Sequence, residues 1–392
     1  MRNSGWAFIL IIFVLSRVFF FAVGISAAAL LPLVVNEGGQ EVPARSFLDS
    51  WSRWDAGFYL AIASEGYNVS TPERTAFFPL FPMLIRLGAA LGGTPAFWGV
   101  LISLVATFFA LYFLYQIAEK HWGPKVARAT VLTFAFFPTA FFLNAVYTEA
   151  LFVGLSAGSF WAANVRRNLL LAGVLGALAA ATRNLGVLLV IPLVYEWLRN
   201  RREFGWRGAL GVGIVPAGLV GYMTFLWTRF GDPFITMAQQ RVYWGREPTN
   251  PLTTLKMAWD EAGEGMRYIF DPTSLFFDQA LFGAAFEASR TVDLAFLFLF
   301  LFLICVGFIV LTMDLEGLWM YTFLIVMVPL IQSGGWSPLM SLPRFVLDAF
   351  LLFFVLGYLL SYSRLALYVW VLVSGGLGAV LAALFVTGHW VA

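Results

Sequence analysis

Residues 51–85 read WSRWDAGFYLAIASEGYNVSTPERTAFFPLFPMLI, and they are unlike the long apolar segment that precedes them. One carboxylate, Asp55, lies in an aromatic neighbourhood made by Trp51, Trp54, Phe58 and Tyr59. Apolar residues at helical spacing predict a short amphipathic helix within 49–65 and a second within 80–91, both lying in the membrane interface. An acidic residue surrounded by aromatic side chains at a membrane surface suits a substrate that is both polar and lipid-anchored.

The composition of the 392-residue chain predicts an all-α polytopic membrane protein. The chain is 60% hydrophobic and only 12% charged, whereas soluble domains carry about 25% charged residues. A net charge of +2 with no run of Lys or Arg argues against a nucleic-acid partner. The single cysteine, Cys305, excludes an intrachain disulfide. The two histidines, His121 and His389, have no ligand cluster beside them, so no metal site is expected.

Runs of apolar residues predict about eleven membrane-spanning helices, because a helix needs roughly 20 apolar residues to cross the hydrocarbon. The first run, Trp6 to Val35, is interpreted as a retained span because it is too long for a signal peptide. Two long segments, 36–95 and 230–290, do not fit as spans, and the chain is taken as one integral membrane domain, residues 1–392. The predicted spans are residues 6–33, 96–118, 128–144, 147–164, 168–182, 184–198, 208–229, 291–312, 317–333, 343–361 and 365–388.

Basic residues in the short loops predict the orientation of the chain. Arg and Lys concentrate on one side, which the positive-inside rule assigns to the cytoplasm together with the N-terminus. The other side then receives both long segments, the turn Asn144–Glu149 and the loop Gln332–Arg344. Four sequence-distant pieces are therefore expected to converge on the extracytoplasmic face. This deduction depends on the number of spans, since an error of one reverses every later loop.

Several charged residues stand in apolar surroundings, where a charge costs at least ~2.5–3.5 kcal/mol on insertion scales and usually has a partner or a cavity. Arg17 could be structurally paired or functional. Arg344 and Asp348 are one helical turn apart and could pair with each other. Glu149 and Arg183 could pair across helices. The sequence leaves these alternatives open.

The absence of two common catalytic motifs limits the classes of reaction that the protein could catalyse. The sequence has no Gly-rich phosphate loop followed by Lys-Ser or Lys-Thr, and no Gly-x-Ser-x-Gly elbow. A reaction fuelled by an activated, lipid-linked group needs one carboxylate to deprotonate an acceptor hydroxyl, cations to hold a phosphate, and an apolar groove for the lipid. Asp55 and Arg344 could supply the carboxylate and a cation. Asp55 could instead be a helix cap or a solvated interfacial acid.

Short motifs with distinctive aromatic, acidic and proline residues follow one another along the chain. They are Trp54-Asp55, Phe58-Tyr59, Glu65-Gly66-Tyr67, Ala76-Phe77-Phe78-Pro79-Leu80-Phe81-Pro82, Phe136-Phe137-Pro138, Tyr147-Thr148-Glu149, Thr182-Arg183-Asn184 with Gly186, and Pro343-Arg344-Phe345. Each motif is brief, but the ordered set resembles the PIG-V family, which comprises GPI mannosyltransferase II and its prokaryotic relatives.

The resemblance implies a GT-C fold glycosyltransferase, a multi-span enzyme whose first extracytoplasmic loop carries a catalytic Asp. Such enzymes typically use polyprenyl-phosphate sugars, and this family is associated with dolichyl-phosphate mannose. Asp55 falls on the family's Trp-Asp position. Many GT-C relatives have two adjacent acids in this loop, whereas this chain has Ala56. A metal-bridging carboxylate pair is therefore not expected, which favours a metal-independent reaction without a cofactor.

The expected reaction is an inverting displacement in which Asp55 accepts the proton of the acceptor hydroxyl as the sugar leaves its phosphate. The phosphate is expected to lie against Arg344, with Arg183 or Arg74. The segment 230–290 either covers the acceptor site or only caps the helix bundle. The residues expected to bind substrate are Trp51, Trp54, Tyr59, Phe78, Glu149, Asn184, Arg241, Tyr243 and Trp244.

A polytopic lipid or solute transporter, or a flippase, is the competing hypothesis, because it too would explain Arg17, Arg183 and Asp348 within apolar segments. Transporters often carry internal repeats and paired broken helices, and neither is evident in this sequence. The sequence favours the enzyme, in a prokaryotic plasma membrane with its site outside the cytoplasm. Its partners would be a lipid-linked sugar donor, a glycolipid acceptor and the bilayer, with no obligatory protein partner. The sugar, the linkage and the acceptor stay open.

Overall fold

The computed structural model describes residues 2–34, 47–311 and 315–391, with side chains from residue 5 onward, and this part of the chain is almost wholly helical. A single two-stranded antiparallel pairing joins β1 (Glu247–Pro248) to β2 (Gln332–Ser333) within the described ranges. The helices are α1 (Arg2–Leu30), α2 (Ala56–Glu65), α3 (Leu80–Ala89), α4 (Pro95–Ala135), α5 (Glu149–Asn164), α6 (Leu169–Thr182), α7 (Val190–Arg199), α8 (Arg201–Ile214), α9 (Ala217–Phe230), α10 (Ile235–Trp244), α11 (Pro251–Ile269), α12 (Pro272–Phe277), α13 (Ala284–Val310), α14 (Glu316–Ile331), α15 (Leu342–Phe345), α16 (Leu351–Ser361) and α17 (Arg364–Val386).

Five helical stretches in the described chain are long and apolar enough to cross a membrane, and a bent pair could form a sixth span. The bent pair joins Leu342–Asp348 to Leu351–Ser361 at an angle of 84°. Three shorter apolar helices, α3, α6 and α14, have fewer than the roughly 20 residues that a span needs. The protein is therefore an all-α multi-pass membrane protein with five or six candidate spans, and the predicted count of about eleven is not reached.

The longest helix, α4, explains part of the difference in span count. Its 41 residues cover all of one predicted span, 96–118, and the first part of the next, 128–144. The backbone leaves the helical region at Gly123, with φ 80° and ψ 175°, a conformation that glycine adopts without steric cost. Pro124 follows, and it has no N–H to continue the helical hydrogen bonds. The 41-residue stretch therefore counts as one candidate span, although the break at Gly123 divides it into two helices, one for each apolar run, and the second ends at Ala135 before that run is complete.

Arg17 has a structural role at the end of α4. Its guanidinium donates hydrogen bonds to the main-chain oxygens of Ala135 and Ala140 at 2.9 and 2.8 Å, and to Asn144 Oδ1 at 2.6 Å. The last carbonyls of a helix lack intrahelical donors and carry partial negative charge, so a buried cation stabilises them. Of the two interpretations of Arg17, the structure supports structural pairing.

The two segments that did not fit as spans contain helices outside the candidate spans. Residues 35–46, at the start of the 36–95 segment, lie outside the described residues, and α2 and α3 occupy the two stretches where amphipathic helices were expected. The 230–290 segment, expected as a loop, holds α10, α11 and α12 instead. Two of its prolines, Pro251 and Pro272, begin helices that Asn250 and Asp271 cap with their side chains. Proline suits the first turn of a helix because its missing N–H would be unpaired there.

The core lies where α4 packs against α1, α5 and α16, and it continues beneath the candidate site. Phe142, Tyr147 and Phe385 form a buried aromatic cluster there, with ring centroids 5.0 to 5.8 Å apart. The outward faces of the long helices stay apolar, as at Ile309 and Leu372, which are 83% and 75% exposed. Such continuous apolar surface is expected of helices that contact lipid.

Candidate active site

A cavity of about 530 Å³ opens where four sequence-distant segments meet. Asp55 comes from the turn before α2, Glu149 from the start of α5, Trp244 from the end of α10, and Arg344 from α15. These are the four pieces that the sequence predicted to converge. The cavity therefore combines carboxylates, arginines and aromatic rings in one space.

The turn that presents Asp55 is held by the segment that follows α17. The side chain of Arg53 donates two hydrogen bonds to Val386 O at 3.2 and 3.1 Å, and Trp54 Nε1 donates one to His389 O at 3.2 Å. Trp54 has a positive φ of 54°, which is uncommon for a bulky residue and persists only when the surroundings determine it. These contacts fix where α2 begins and so where Asp55 points.

Asp55 occupies the N-cap position of α2, yet its side chain makes no capping hydrogen bond. Its Oδ2 instead accepts a hydrogen bond from Arg344 Nη1 at 2.7 Å. The side chain is 19% exposed and lines the cavity, and Oδ1 has no hydrogen-bond partner among the residues that the structure describes. The geometry thus favours an ion-paired acid facing a cavity over a simple helix cap.

Five charged groups form an alternating chain of acids and arginines behind the cavity. Arg344 contacts Asp55 through Nη1 and Glu149 Oε1 through Nε, the latter at 3.1 Å. Arg183 Nη1 lies 3.3 Å from the same Glu149 oxygen and 3.2 Å from Asp348 Oδ2. Glu149 and Asp348 are 1% and 0% exposed. Buried ions are tolerated only when each is paired in this way, because desolvation of an unpaired charge is costly.

The predicted pairings within this chain have different outcomes. Glu149 and Arg183 do pair across helices. Arg344 and Asp348, in contrast, bind other partners in the described structure. Helix α15 ends at Phe345 and a 3₁₀ turn covers Val346–Asp348, so the four-residue spacing that places side chains on one face of an α-helix does not apply.

Three arginines of the site lie around one aromatic ring, that of Phe345. The guanidinium carbons of Arg183, Arg344 and Arg246 lie 4.6, 5.0 and 5.6 Å from the ring centroid of Phe345. A cation over an aromatic face gains about 0.5–2 kcal/mol, with the larger values where water is excluded. Phe345 therefore helps to hold three like charges in a small volume.

Arg246 was not among the residues predicted to bind phosphate, although it lies in the segment expected to cover the site. It lines the cavity and is partly buried. Burial lowers the pKa of its guanidinium to about 10, with a further contribution from Arg344 nearby, and the group stays protonated at neutral pH. The available signal in the sequence was an arginine directly after Trp244 and Gly245, in a polar and aromatic segment.

Aromatic rings form much of the remaining wall. Phe77 stacks on Phe58 at 4.6 Å and meets Trp244 edge-on at 5.5 Å. Tyr59 is buried, and its hydroxyl forms a hydrogen bond with Thr148 Oγ1 at 3.2 Å. Burial raises the pKa of Tyr59, so it stays a neutral phenol. Predicted substrate-binding residues that line the cavity are Tyr59, Phe78, Glu149, Asn184, Arg241 and Trp244.

Four predicted site residues lie outside the lining of this cavity. Trp51 is fully buried against Phe21 and Phe385, and it belongs to the core. Arg74 pairs with Glu65 at 2.7 Å, away from the acid–arginine chain. The remaining two are Trp54, which packs against the cavity residue Trp390, and Tyr243, which is largely exposed. Their aromatic or basic character matched the expected chemistry, but the fold directs these side chains elsewhere.

The carboxylates of the site are separated by arginines. Glu149 and Asp55 both contact Arg344, and Arg183 lies between Glu149 and Asp348. Within the described residues no group of three His, Cys, Asp or Glu side chains is placed to hold a metal ion. The expectation of a metal-independent reaction stays a prediction.

The fold and cavity define a multi-pass membrane protein with an acid–arginine site, and comparison with known proteins finds a family match within its N-terminal half. Residues 7–199 match the family model described as Mannosyltransferase (PIG-V). This stretch carries Asp55, Glu149 and Arg183, so the resemblance seen in the motifs is confirmed for that part of the chain.

Curated relatives agree with the family match. The GPI alpha-1,6-mannosyltransferase 2 of Rattus norvegicus is 30% identical over 188 residues, which are 43% of this chain and 36% of that protein. The GPI mannosyltransferase 2 of Schizosaccharomyces pombe is 28% identical over 116 residues, covering 29% and 25% of the two chains. The matched stretch thus spans about a third or less of the length of these relatives.

Solved structures with a related arrangement of helices are distant in sequence. ArnT from Cupriavidus metallidurans bound to undecaprenyl phosphate has a TM-score of 0.46 and 12% identity, covering 98% of this chain and 78% of that one. The Archaeoglobus fulgidus oligosaccharyltransferase tethered with an acceptor peptide has a TM-score of 0.45 and 10% identity, covering 96% and 55%.

Proposed function

We propose that this protein is an inverting GT-C type mannosyltransferase, which moves mannose from a polyprenyl-phosphate donor to a hydroxyl of a glycolipid acceptor. The proposal rests on one observation above all: Asp55, ion-paired to Arg344 at 2.7 Å, lines a cavity with arginines and aromatic rings. The family match over residues 7–199 supports mannose as the sugar. The site lies on the extracytoplasmic face of a prokaryotic plasma membrane.

In this reaction Asp55 is the general base. The acceptor hydroxyl gives its proton to the Asp55 carboxylate, and its oxygen forms a new bond to C1 of the sugar. The bond between C1 and the phosphate oxygen breaks at the same time, and the polyprenyl phosphate leaves with that electron pair. A single displacement of this kind inverts the configuration at C1. Base catalysis of this type contributes typically ~10²–10⁴-fold.

The cations of the cavity balance the charge that develops on the leaving phosphate. Arginine suits this task because its planar guanidinium matches phosphate oxygens and stays charged. Arg183, Arg246 and Arg344 lie around Phe345 and line the cavity. This arrangement supports a reaction without a metal, since arginines stand between the carboxylates that could otherwise share an ion.

The segment 230–290 covers the acceptor in this proposal. Helix α10 contributes Gln240 and Trp244 to the cavity lining, and Arg241 at its rim pairs with Glu247 at 2.8 Å. Aromatic and polar side chains together suit a sugar, whose faces stack on rings and whose hydroxyls form hydrogen bonds.

The charges that motivated the transporter hypothesis have partners. Arg17 binds main-chain oxygens at the end of α4, and Arg183 pairs with Asp348 and Glu149. Neither residue needs a transported ion to offset its charge. Among the described residues, these charges therefore give no specific support to transport.

The test compares Asp55→Asn with the wild type in nanodiscs, using radiolabelled polyprenyl-phosphate mannose and a glycolipid extract as acceptor. We expect a folded protein whose transfer rate falls ~10²–10⁴-fold, because the amide preserves shape and removes basicity. The matched control is Glu65→Gln, which changes the exposed acid at the other end of α2.

Near-normal transfer by Asp55→Asn would move the base elsewhere, with Glu149 the next candidate. If the wild type transfers no mannose but moves lipid or solute in proteoliposomes, the enzyme proposal fails as a whole.

A further inference from the structure

We infer that Arg246 is the residue that binds the phosphate of the lipid-linked donor, while Arg344 positions Asp55. This inference rests on the proposed function and divides the roles of the arginines within it. The three arginines around Phe345 differ in one respect: two are bound by carboxylates and the third is not.

Arg344 and Arg183 are already engaged. Arg344 uses Nη1 and Nε for Asp55 and Glu149, and Arg183 contacts Glu149 and Asp348. A phosphate at either guanidinium would compete with the carboxylates that the guanidinium already pairs with. Displacing one partner of a buried pair leaves an uncompensated charge, which is strongly unfavourable.

Arg246 has no ion pair within the described part of the chain. Its side chain donates one long hydrogen bond, from Nη2 to Met340 O at 3.4 Å, and lies over the Phe345 ring. A guanidinium carries five N–H donors. Most of the donors of Arg246 are therefore available to a ligand in the cavity that it lines.

The formal charge of the site also favours Arg246. The chain of three carboxylates and two arginines, taken as ionised, has a formal charge of −1. A phosphate approaching that chain alone would be repelled. With Arg246 included, the formal charge of these six groups is zero. Arg246 therefore offsets the repulsion of a phosphate, and its own N–H donors can bind that phosphate.

The backbone that carries Arg246 is held in place. Gly245 has a positive φ of 58°, β1 pairs with β2 directly after Arg246, and Gly335 N donates to Trp244 O at 3.0 Å. Gly245 and Gly335 are so close that a Cβ on Gly335 would lie 2.9 Å from Gly245 Cα. This strap, residues 244–248, thus presents the guanidinium from a defined position, which limits the entropy lost on binding.

The neighbourhood of the strap favours a phosphate on a lipid over a free phosphate. Strand β2 directly follows α14, and α14 contributes Ile325, Val328 and Pro329 to the cavity lining. An apolar lining therefore adjoins the strap that carries the cation. A polyprenyl chain along α14 would place its phosphate at Arg246.

The experiment measures binding of a long-chain polyprenyl monophosphate without sugar to the full chain in nanodiscs. Arg246→Gln should raise the Kd about tenfold or more, because charge-assisted hydrogen bonds are lost. Arg246→Lys should be intermediate, since it keeps the charge without the planar fork. Arg229→Gln is the matched control: it removes an exposed arginine at the end of α9, outside the cavity lining, and should leave the Kd unchanged.

Transfer kinetics separate binding from chemistry. Arg246→Gln should raise the donor KM more than it lowers kcat, whereas Asp55→Asn should do the reverse. Unchanged thermal stability of Arg246→Gln would exclude misfolding as the cause of weaker binding. Inorganic phosphate at equal concentration should not displace polyprenyl phosphate. Strong displacement would show that the lipid chain contributes little to binding.

Wild-type affinity of Arg246→Gln for polyprenyl phosphate would overturn the assignment of Arg246 and leave the proposed function standing. If the wild type binds polyprenyl phosphate through Arg246 but transfers no mannose, the proposed function fails and the phosphate site stands. If the wild type does not bind polyprenyl phosphate at all, both fail.

Discussion

At the scale of single residues, the geometry of Arg344 decides how Asp55 is presented to the cavity. Two different nitrogens of one planar group contact Asp55 and Glu149, which come from different helices. A lysine ammonium is a point charge on a flexible chain and cannot reproduce that double contact. Removing the charge leaves Glu149, which is 1% exposed, with Arg183 as its remaining ion partner in the described chain.

Substitution of Arg344 should separate catalysis from stability. We expect Arg344→Lys to lower kcat more than it weakens binding of polyprenyl phosphate, because Asp55 loses its fixed orientation. Arg344→Ala should in addition destabilise the protein by about 3–5 kcal/mol, the usual cost of breaking a buried ion pair. Single-turnover transfer, lipid binding and detergent denaturation measure the three effects. Wild-type turnover by Arg344→Ala would show that Asp55 needs no such partner.

At the scale of elements, the segment after α17 links three parts of the fold. Its Thr387 O accepts a hydrogen bond from Val34 N, and His389 O accepts one from Trp54 Nε1. The ring of His389 contacts Thr387 Oγ1 at 2.9 Å and Asp278 O at 3.0 Å. Because this segment holds the turn before Asp55, its stability bears directly on the site.

Stability should depend on pH through His389. Burial lowers the pKa of His389 below its usual range, so the unfolded chain takes up a proton at a higher pH than the folded one. Stability is therefore lost as pH falls below about 6.5, the ordinary histidine value, until the folded-state pKa is passed. Denaturation midpoints in detergent at successive pH values measure the loss.

The variant His389→Gln isolates this contribution. It removes the titrating group, so its denaturation midpoint should fall less than that of the wild type between neutral and mildly acidic pH. An equal fall in both proteins would contradict the assignment to His389.

At the scale of the whole molecule, the packing of the long helices brings four distant segments to one cavity. Asp55, Glu149, Trp244 and Arg344 line it together. A lipid-phosphate donor reaches this cavity only if its side of the bundle faces the extracytoplasmic leaflet. The excess of Arg and Lys in the short loops of the other side predicts that orientation.

Cysteine labelling in intact cells tests the orientation. In a Cys305→Ser background, Ser64→Cys on the exposed face of α2 should react with an impermeant maleimide without permeabilisation. Arg202→Cys, an exposed position in a predicted cytoplasmic loop, should react only after permeabilisation. The reverse pattern would place the cavity in the cytoplasm and remove the argument for the proposed donor.

The class of the protein and most residues of the acid–arginine chain follow from the amino-acid sequence alone. A composition with 12% charged residues leaves few charges, and those in apolar surroundings must find partners or a cavity. Glu149, Arg183, Arg344 and Asp348 could be chosen on that ground, and Asp55 from its aromatic neighbourhood and its Trp-Asp motif. Helix positions followed from apolar runs wherever the chain stays regular.

Which charges pair and which aromatic residues face the cavity depends on how distant segments pack together. The partners of Arg344 are 289 and 195 positions away in sequence, and local spacing carries no information about such distances. Trp51 and Arg74 had the expected chemistry, but packing directs one to the core and pairs the other with Glu65. The candidate spans differ from the predicted ones at α4, because its two helices meet directly at Gly123 and the second ends at Ala135, which hydrophobicity alone does not indicate.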